Sequence, residues 1–239
     1  MRFLGWAIAV GFGALTVSCS GSKSSTGDSA LTIKSPDGVE GPTVSGEAAA
    51  APADSRRTVL FLGTSLTAGL GLDPDSAYPQ LIQRKIDAGS LPYQVVNAGV
   101  SGETSAGLLR RLDWVLQRPA DVIVVETGAN DGLRGIPVAA VRSTISDVLT
   151  RIRRARPTAT VALVQMEAPT NFGKQYTLAF HEVFAEVARE HGVVLLPFLL
   201  DGVAGFARLN QADGIHPNGT GEAIVAENVW RGLKPMLAP

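Results

Sequence analysis

A short loop near the C-terminus carries the residue pair with the most specific chemistry in the chain. Asp213 and His216 stand three residues apart in the loop 213–218, which glycine and proline constrain. At this spacing the carboxylate can reach the imidazole Nδ1–H and leave Nε2 free to act as a base. The other two histidines, His181 and His191, lie in or just after a glutamate-rich helical stretch and are expected to be solvated. The loop therefore predicts an oriented histidine base.

A candidate nucleophile follows the first apolar run of the chain. Ser65 lies in the sequence GTSLTAG, directly after the run TVLFL at 58–62. A serine directly after a buried strand lies at the carboxyl edge of the sheet, which is where a nucleophile has to be exposed to act. The spacing is not G-x-S-x-G, because Thr67 stands where the second glycine would be. By itself this stretch is more typical of a turn with a capping serine.

Two further loops carry groups that could stabilise a developing negative charge. Gly102 follows a second apolar run, and a glycine lets its backbone N–H approach a ligand closely. Asn130 follows a third run, where its side-chain amide could point into the same cleft as Ser65. Each loop also has an ordinary interpretation. The first is typical of a strand-to-helix turn capped by Ser101 or Thr104, and the second of Asn-Asp-Gly turn chemistry.

The elements that must position these loops alternate along the chain. Continuous apolar runs predict strands buried on both faces, at 58–62, 93–97, 121–126, 159–166 and 193–196. Apolar residues at i, i+3/i+4 and i+7 spacing predict helices over 77–88, 108–116, 138–152, 176–187 and 218–233. This alternation predicts a three-layer α/β/α sandwich around a five-stranded parallel sheet. Reactive groups in such sheets lie on loops at the carboxyl ends of the strands, so the candidate residues are expected at one edge.

With these residues in order, the chain resembles the SGNH, or GDSL-type, hydrolase family over the whole predicted domain. It is most similar to bacterial arylesterases and to the periplasmic thioesterase/lysophospholipase branch. Four blocks carry the resemblance: 63–66, Gly102, 128–131 and 213–216. The resemblance implies the flavodoxin-like fold of that family.

Two positions depart from the family pattern. Ala129 stands where a second glycine is common, and Thr64 stands where the family usually has Asp. The second departure raises the question of how the nucleophile loop is held. One hydroxyl replaces a carboxylate that could accept several hydrogen bonds.

The resemblance implies that Ser65 Oγ attacks an acyl carbonyl, that His216 moves its proton and that Asp213 orients the imidazole. It also implies an oxyanion hole formed by the backbone N–H groups of Ser65 and Gly102 and by the Asn130 amide. No metal ion and no organic cofactor is implied.

The expected function is a serine esterase that hydrolyses aryl or short- to medium-chain carboxylic esters through an acyl-enzyme. Lysophospholipase, thioesterase or carbohydrate acetylesterase activity at the same site stays open. A catalytically silent, tethered binding module is the alternative from a different class. The net charge is −1 and no Lys/Arg-rich block is present, which argues against a nucleic-acid partner.

The N-terminus is typical of an export signal. Arg2 precedes an apolar stretch over 3–17, which is shorter than the ~20 residues needed to span a bilayer. The only cysteine, Cys19, follows a small residue in a pattern that resembles the lipobox of bacterial lipoproteins, although Thr16 stands where that motif usually has Leu. We therefore expect a lipoprotein signal peptide over 1–18 and lipidation of Cys19. An ordinary signal peptide with an incidental cysteine is the alternative.

The segment that follows separates the signal from the domain. Residues 19–57 are rich in Ser, Gly, Ala, Thr and Pro, and 20–57 contain no aromatic residue. Such a segment cannot bury enough apolar surface to offset the entropy of ordering it. We expect a flexible tether there and a single, monomeric hydrolase domain over 58–239. The expected location is membrane-anchored, facing the periplasm or the cell exterior.

Overall fold

A computed structural model describes residues 56–237 of the chain. The expected signal peptide, Cys19 and nearly all of the expected tether lie outside the described residues. The first strand begins at Arg57, one residue before the expected domain boundary. Among the described residues, no helix combines the length and the hydropathy that crossing a membrane requires.

Five parallel strands form one sheet in the described part of the chain. The strands are β1 (Arg57–Gly63), β2 (Tyr93–Gly99), β3 (Val122–Val125), β4 (Thr160–Val164) and β5 (Val194–Leu196). Their order across the sheet is β2-β1-β3-β4-β5. Each predicted apolar run is a strand, with its ends shifted by no more than two residues. The central strands β1 and β3 are buried along their apolar residues, because helices cover both faces.

Seven α-helices lie within residues 56–237, and five of them are the predicted ones. They are α1 (Ser65–Ala68), α2 (Tyr78–Ala88), α3 (Ser105–Val115), α4 (Ala129–Leu133), α5 (Val138–Ala155), α6 (Lys174–His191) and α7 (Gly219–Leu233). Helices α2 and α7 pack against each other, while α3 packs on α5 and α5 on α6. These two groups form the outer layers of the predicted three-layer sandwich, which is confirmed. Helices α1 and α4 are single turns that sequence periodicity does not predict.

The strand order reverses at β1, because β2 lies on one side of it and β3, β4 and β5 follow on the other. The strand pairs with β2 on one side and with β3 on the other, and Gly63 lies opposite Gly99 while Leu62 lies opposite Val125. The carboxyl ends of β2, β1 and β3 therefore lie side by side. In open parallel sheets, a ligand binds at such a switch point. The loops that leave it carry Ser65, Gly102 and Asn130.

Candidate active site

The nucleophile candidate begins a single helical turn directly after β1. Thr64 is the N-cap of α1, with an extended backbone, and its Oγ1 accepts the Leu66 N–H at 3.4 Å. The turn ends at Gly69, whose φ of 71° lies in the left-handed region that favours glycine. Thr64, and not Ser65, therefore caps this turn. The Ser65 hydroxyl is left to face another partner.

That partner is the predicted base. Ser65 Oγ lies 2.8 Å from His216 Nε2, although the two residues are 151 positions apart in the chain. On the other side of the ring, His216 Nδ1 lies 2.7 Å from Asp213 Oδ2. This order of hydroxyl, imidazole and carboxylate is the geometry of a Ser-His-Asp triad. The structure thus brings together the three residues that the sequence analysis singled out.

Backbone amides hold the Asp213 carboxylate in place. Its Oδ1 accepts the N–H of Ile215 at 2.9 Å and of His216 at 3.0 Å, while Oδ2 faces the imidazole. These hydrogen bonds, the one from the His216 amide first, lower the pKa of Asp213 from 3.8 to about 2. Asp213 is therefore charged at every pH at which a neutral histidine could act as a base.

Gln211 joins this loop to the nucleophile side of the site. Its Nε2 donates to the carbonyl oxygens of Leu70 at 2.7 Å and of Pro217 at 3.0 Å. Its backbone N–H donates to the His216 carbonyl at 2.7 Å. Because Leu70 directly follows the turn of Ser65, one side chain holds both loops in register. Sequence reasoning missed this residue, since nothing in its local pattern marks it.

Gly102 and Asn130 lie at the neighbouring strand ends. Gly102 has a φ of 77°, and the space where a Cβ would stand is open. Asn130 Nδ2 donates one of its two hydrogens to the Glu103 carbonyl at 3.0 Å. Within residues 56–237, the backbone N–H groups of Ser65 and Gly102 donate to no protein acceptor. The three predicted donors thus each retain a hydrogen for a ligand.

The loop that contains Gly102 is held on three sides. The Glu103 carboxylate makes two hydrogen bonds of 2.7 Å with the Arg111 guanidinium, and both side chains are largely buried. Arg134 donates to the Gly102 carbonyl at 3.0 Å. Thr104 is the N-cap of α3, so the ordinary interpretation of this loop also holds, with Thr104 and not Ser101 as the cap.

A buried carboxylate lies against the nucleophile turn. Glu126 directly follows β3 and is 0% exposed. Its Oε2 accepts the Thr64 N–H at 2.7 Å and the hydroxyls of Thr64 and Thr67, each at 2.9 Å. The Tyr78 hydroxyl in turn lies 2.8 Å from Thr67 Oγ1. We call Glu126, Thr64, Thr67 and Tyr78 the Glu126 cluster.

The Glu126 cluster shows how the nucleophile turn is held although position 64 is Thr and not Asp. The carboxylate that supports the turn comes from the end of a neighbouring strand, and position 64 contributes a hydroxyl and a backbone N–H. Sequence reasoning missed this role. The available signal was a carboxylate at the end of an otherwise apolar run, which is unusual for a buried strand.

An apolar cavity of about 320 Å³ opens beside the triad. Leu66 and Ile215, the neighbours of Ser65 and His216, contribute to its wall together with Met166, Ala168 and other apolar residues. A pocket of this kind is typical of a site that takes an apolar part of a small molecule.

Glu167 is the one charged residue among the described residues that line the cavity. Its Oε1 lies 2.6 Å from Nδ1 of His181, a residue expected to be solvated. His191 likewise has a partner, since its Nε2 lies 2.7 Å from Ser146 Oγ. Neither histidine contacts Ser65, so His216 is the histidine of the site.

The chain is similar to known proteins over most of the described residues. Residues 61–224 match the GDSL-like Lipase/Acylhydrolase family. Esterase TesA of Pseudomonas aeruginosa is 40% identical over 183 residues, which cover 76% of this chain and 90% of that protein. The Escherichia coli protein named thioesterase 1/protease 1/lysophospholipase L1 is 36% identical over 181 residues, covering 75% and 85% of the two chains.

A solved structure is similar over the same region. The psychrotrophic esterase EstA from Pseudoalteromonas sp., inhibited by monoethylphosphonate, matches with a TM-score of 0.72 at 34% identity. The match covers 76% of this chain and 98% of that one.

The fold and the site together define an α/β sandwich with a Ser-His-Asp arrangement at the carboxyl edge of its sheet. The chain belongs to the GDSL-like lipase/acylhydrolase family. The resemblance stated from the sequence is thereby confirmed.

Proposed function

We propose that the protein is a serine esterase that hydrolyses carboxylic esters through an acyl-enzyme formed on Ser65. The contacts of 2.8 Å between Ser65 and His216 and of 2.7 Å between His216 and Asp213 carry this proposal. Two of the relatives, TesA and EstA, are themselves named esterases.

The reaction follows from the order of the three side chains. His216 Nε2 takes the proton of Ser65 Oγ as this oxygen attacks the acyl carbonyl, and it then passes the proton to the leaving alkoxide. Asp213 keeps the proton on Nδ1 and stabilises the imidazolium that forms. A water molecule, deprotonated by the same Nε2, next attacks the acyl-enzyme. Ser65 recovers its proton when the acid leaves.

The oxyanion of each tetrahedral intermediate needs fixed donors. We assign this role to the backbone N–H groups of Ser65 and Gly102 and to the second N–H of the Asn130 side chain. Such donors cost no reorganisation during the reaction, and losing one typically costs about 3 kcal/mol of transition-state stabilisation. The bond from Asn130 to the Glu103 carbonyl supports this assignment, because it fixes the direction of the remaining hydrogen.

The cavity beside Ser65 supports aryl or short- to medium-chain acyl groups as substrates. Lysophospholipid or thioester hydrolysis is the second candidate. It is favoured by the name of the Escherichia coli relative and by Leu133 and Ile215, which line the cavity yet are 43% and 44% exposed. These side chains extend the apolar surface of the cavity outward, and the longer acyl chain of a lysophospholipid or thioester requires such a surface. An acetylated carbohydrate has the least support, because a mostly apolar wall offers a sugar few polar partners.

A fluorophosphonate probe tests the nucleophile. We expect the wild-type protein and the Ser101→Ala variant to be labelled, because Ser101 is an exposed serine of a neighbouring loop and the His216 ring bonds to Ser65 and Asp213 instead. Ser65→Ala should abolish both labelling and ester hydrolysis. Absence of labelling in folded wild-type protein would favour the silent binding module instead.

A substrate panel separates the candidates. Nitrophenyl esters of increasing chain length, an acyl-CoA, a lysophospholipid and acetylated sugars are assayed side by side with wild-type protein. The main proposal expects the highest kcat/KM on the nitrophenyl esters of short to medium chains. A preference for lysophospholipid or acyl-CoA would establish the second candidate, and a preference for acetylated sugars would contradict both.

We also propose that the protein is exported and anchored by a lipid on Cys19. The N-terminal sequence supports this, because Arg2 and an apolar stretch over 3–17 precede Cys19. Full-length protein should partition into detergent and incorporate labelled fatty acid, as should Ser20→Ala, whereas Cys19→Ser should do neither. Equal partitioning of all three would contradict the anchor. The exported Cys19→Ser protein also allows light scattering, for which we expect a monomer.

A further inference from the structure

We propose that Glu126 is a positioning residue for the nucleophile, because its carboxylate holds the turn that carries Ser65 in the orientation that the reaction needs. The inference rests on the proposed function, in which Ser65 attacks the substrate. It adds a residue 61 positions away in the chain, on a different strand end, that never touches the substrate.

The turn of Ser65 cannot hold its own geometry. Helix α1 has four residues, Ser65–Ala68, and a helix this short is not stable by its own hydrogen bonds. The direction of Ser65 Oγ therefore depends on tertiary contacts at the turn. Glu126 makes three of them on one oxygen, with the N–H and hydroxyl of Thr64 just before Ser65 and with the hydroxyl of Thr67 just after it.

The hydrogen-bond directions around Glu126 are those of an anion. The Thr64 N–H can only donate, and the Thr64 hydroxyl accepts from the Leu66 N–H, so its own hydrogen is free for the carboxylate. Three donors that converge on one oxygen match the acceptor capacity of a carboxylate. An amide of the same shape keeps one oxygen, but that oxygen is neutral and therefore a weaker acceptor for the three donors. Its NH₂ group would take the place of Oε1, which lies 3.1 Å from the Thr64 hydroxyl, so a second donor would face that hydroxyl.

The space around the carboxylate is built for it. A Cβ on Gly63 would lie 1.9 Å from Thr67 Oγ1 and 2.7 Å from Glu126 Oε2. Only because residue 63 has no side chain is there room for the Glu126 carboxylate and the Thr67 hydroxyl. Tyr78, fully buried, closes the far side through its contact with Thr67.

The partners of Glu126 are neutral groups. Burial raises the pKa of Glu126, against the opposing effect of its hydrogen bonds with Thr64 and Thr67. Within residues 56–237 these bonds come from a backbone N–H and two hydroxyls, and none comes from a cation. A buried carboxylate without a cation is costly, and an apolar residue would suit the end of a buried strand better. Such a cost is typical of a group that a reacting site requires.

The test replaces Glu126 by Gln and uses Glu222→Gln as the matched control. Glu222 is also a buried glutamate that accepts one backbone N–H, from Tyr78 at 2.7 Å. It bonds to the main chain of Tyr78, whereas the Tyr78 hydroxyl is the group that faces Thr67, so the substitution leaves the hydrogen bonds of the Ser65 turn in place. The measurements are kcat and KM on a nitrophenyl butyrate, the rate constant of fluorophosphonate labelling, the circular dichroism spectrum and the thermal midpoint.

For Glu126→Gln we expect kcat and the labelling rate constant to fall by about 10²-fold, as for a nucleophile displaced by about 1 Å. KM should stay within about twofold, because the substrate cavity is untouched. Glu222→Gln should keep kcat, KM and the labelling rate constant within about twofold of wild type. A wild-type kcat and labelling rate in folded Glu126→Gln, or a raised KM with unchanged kcat, would overturn the inference.

A second pair of variants decides the matter if Glu126→Gln does not fold. Thr64→Val keeps the shape of the side chain and the backbone N–H bond but removes the hydroxyl that bridges to Glu126. It should lose about tenfold in labelling rate, while Thr64→Ser should restore most of it. Equal rates for Val and Ser would overturn the role of the cluster. Failure of wild-type protein to label at all would instead overturn the proposed function.

Discussion

Glu222 makes the stability of this domain depend on pH in a way that one substitution can reveal. This residue lies in α7, is 1% exposed, and its Oε2 accepts the Tyr78 N–H at 2.7 Å. Helix α2 has no side-chain cap of its own at Ala77, so Glu222 supplies the acceptor for its first turn. Burial raises the pKa of Glu222 from 4.5 to about 8, against the smaller opposing effect of that hydrogen bond.

The sign and size of the effect follow from this pKa. The unfolded chain releases the Glu222 proton above pH 4.5, whereas the folded protein keeps it up to about pH 8. The stability associated with the protonated group is thus fully present below pH 4.5 and is lost progressively as the pH rises to 8. Each pH unit in this window lowers the free energy of unfolding by about 1.4 kcal/mol, which amounts to about 3 kcal/mol at pH 7.

Glu222→Gln should remove this loss. A glutamine is neutral at every pH, and its amide oxygen can accept the same Tyr78 N–H. The variant should match wild type near pH 4.5 and gain about 1.4 kcal/mol per pH unit over it up to pH 8. Other titrating groups are common to both proteins and cancel in the difference.

The assay is urea unfolding of wild type and variant at pH 4.5, 6, 7 and 8, values that span the window from the ordinary to the raised pKa. Glu227→Gln is the control on the same helix, because Glu227 is exposed and pairs with Lys85 at 2.7 Å. Its difference from wild type should stay within about 0.5 kcal/mol. A difference for Glu222→Gln that does not change with pH would refute the reasoning.

Three further predictions concern the reaction itself. Asn130→Ala should lower kcat/KM on nitrophenyl butyrate by about 10²- to 10³-fold, and an unchanged value would remove Asn130 from the oxyanion hole. Asp213→Asn should keep the circular dichroism spectrum but lose about 10³- to 10⁴-fold in kcat, so a near-wild-type rate would refute its role. Ala168→Phe should narrow the cavity that Ala168 lines, which is tested by the ratio of kcat/KM for hexanoate and acetate esters. That ratio should fall with acetate turnover retained, and an unchanged ratio would place the acyl group elsewhere.

The strands and long helices could be predicted because their signals are local. The predicted strand 58–62 is apolar without interruption from residue 59 onward, and the stripe in α5 repeats over several turns. Helices α1 and α4 were not predicted, because four or five residues are too few to show a helical period. Both helices lie in the loops that follow strands at the site. Sequence periodicity therefore does not predict the backbone conformation of the site loops.

The support of the nucleophile turn was missed for a different reason. Thr64 departs from the family pattern in the sequence itself, but the residue that compensates for it is 62 positions away. Which side chain lies under the turn depends on the pairing of β1 with β3, where Leu62 lies opposite Val125. A change of register would bring a different residue beside Thr64.

By itself, the sequence determined the class of fold, the edge of the sheet where chemistry is expected, and the Asp213–His216 pair. That pair lies within one turn, so three residues of spacing already limit the distance between carboxylate and imidazole. Only the tertiary structure decided that Ser65 Oγ lies 2.8 Å from His216 Nε2 and that Glu126 reaches Thr64. These contacts join segments far apart in the chain, and their distances depend on sheet register and helix packing. The spacing of residues along the chain determines neither the register of the sheet nor the packing of the helices.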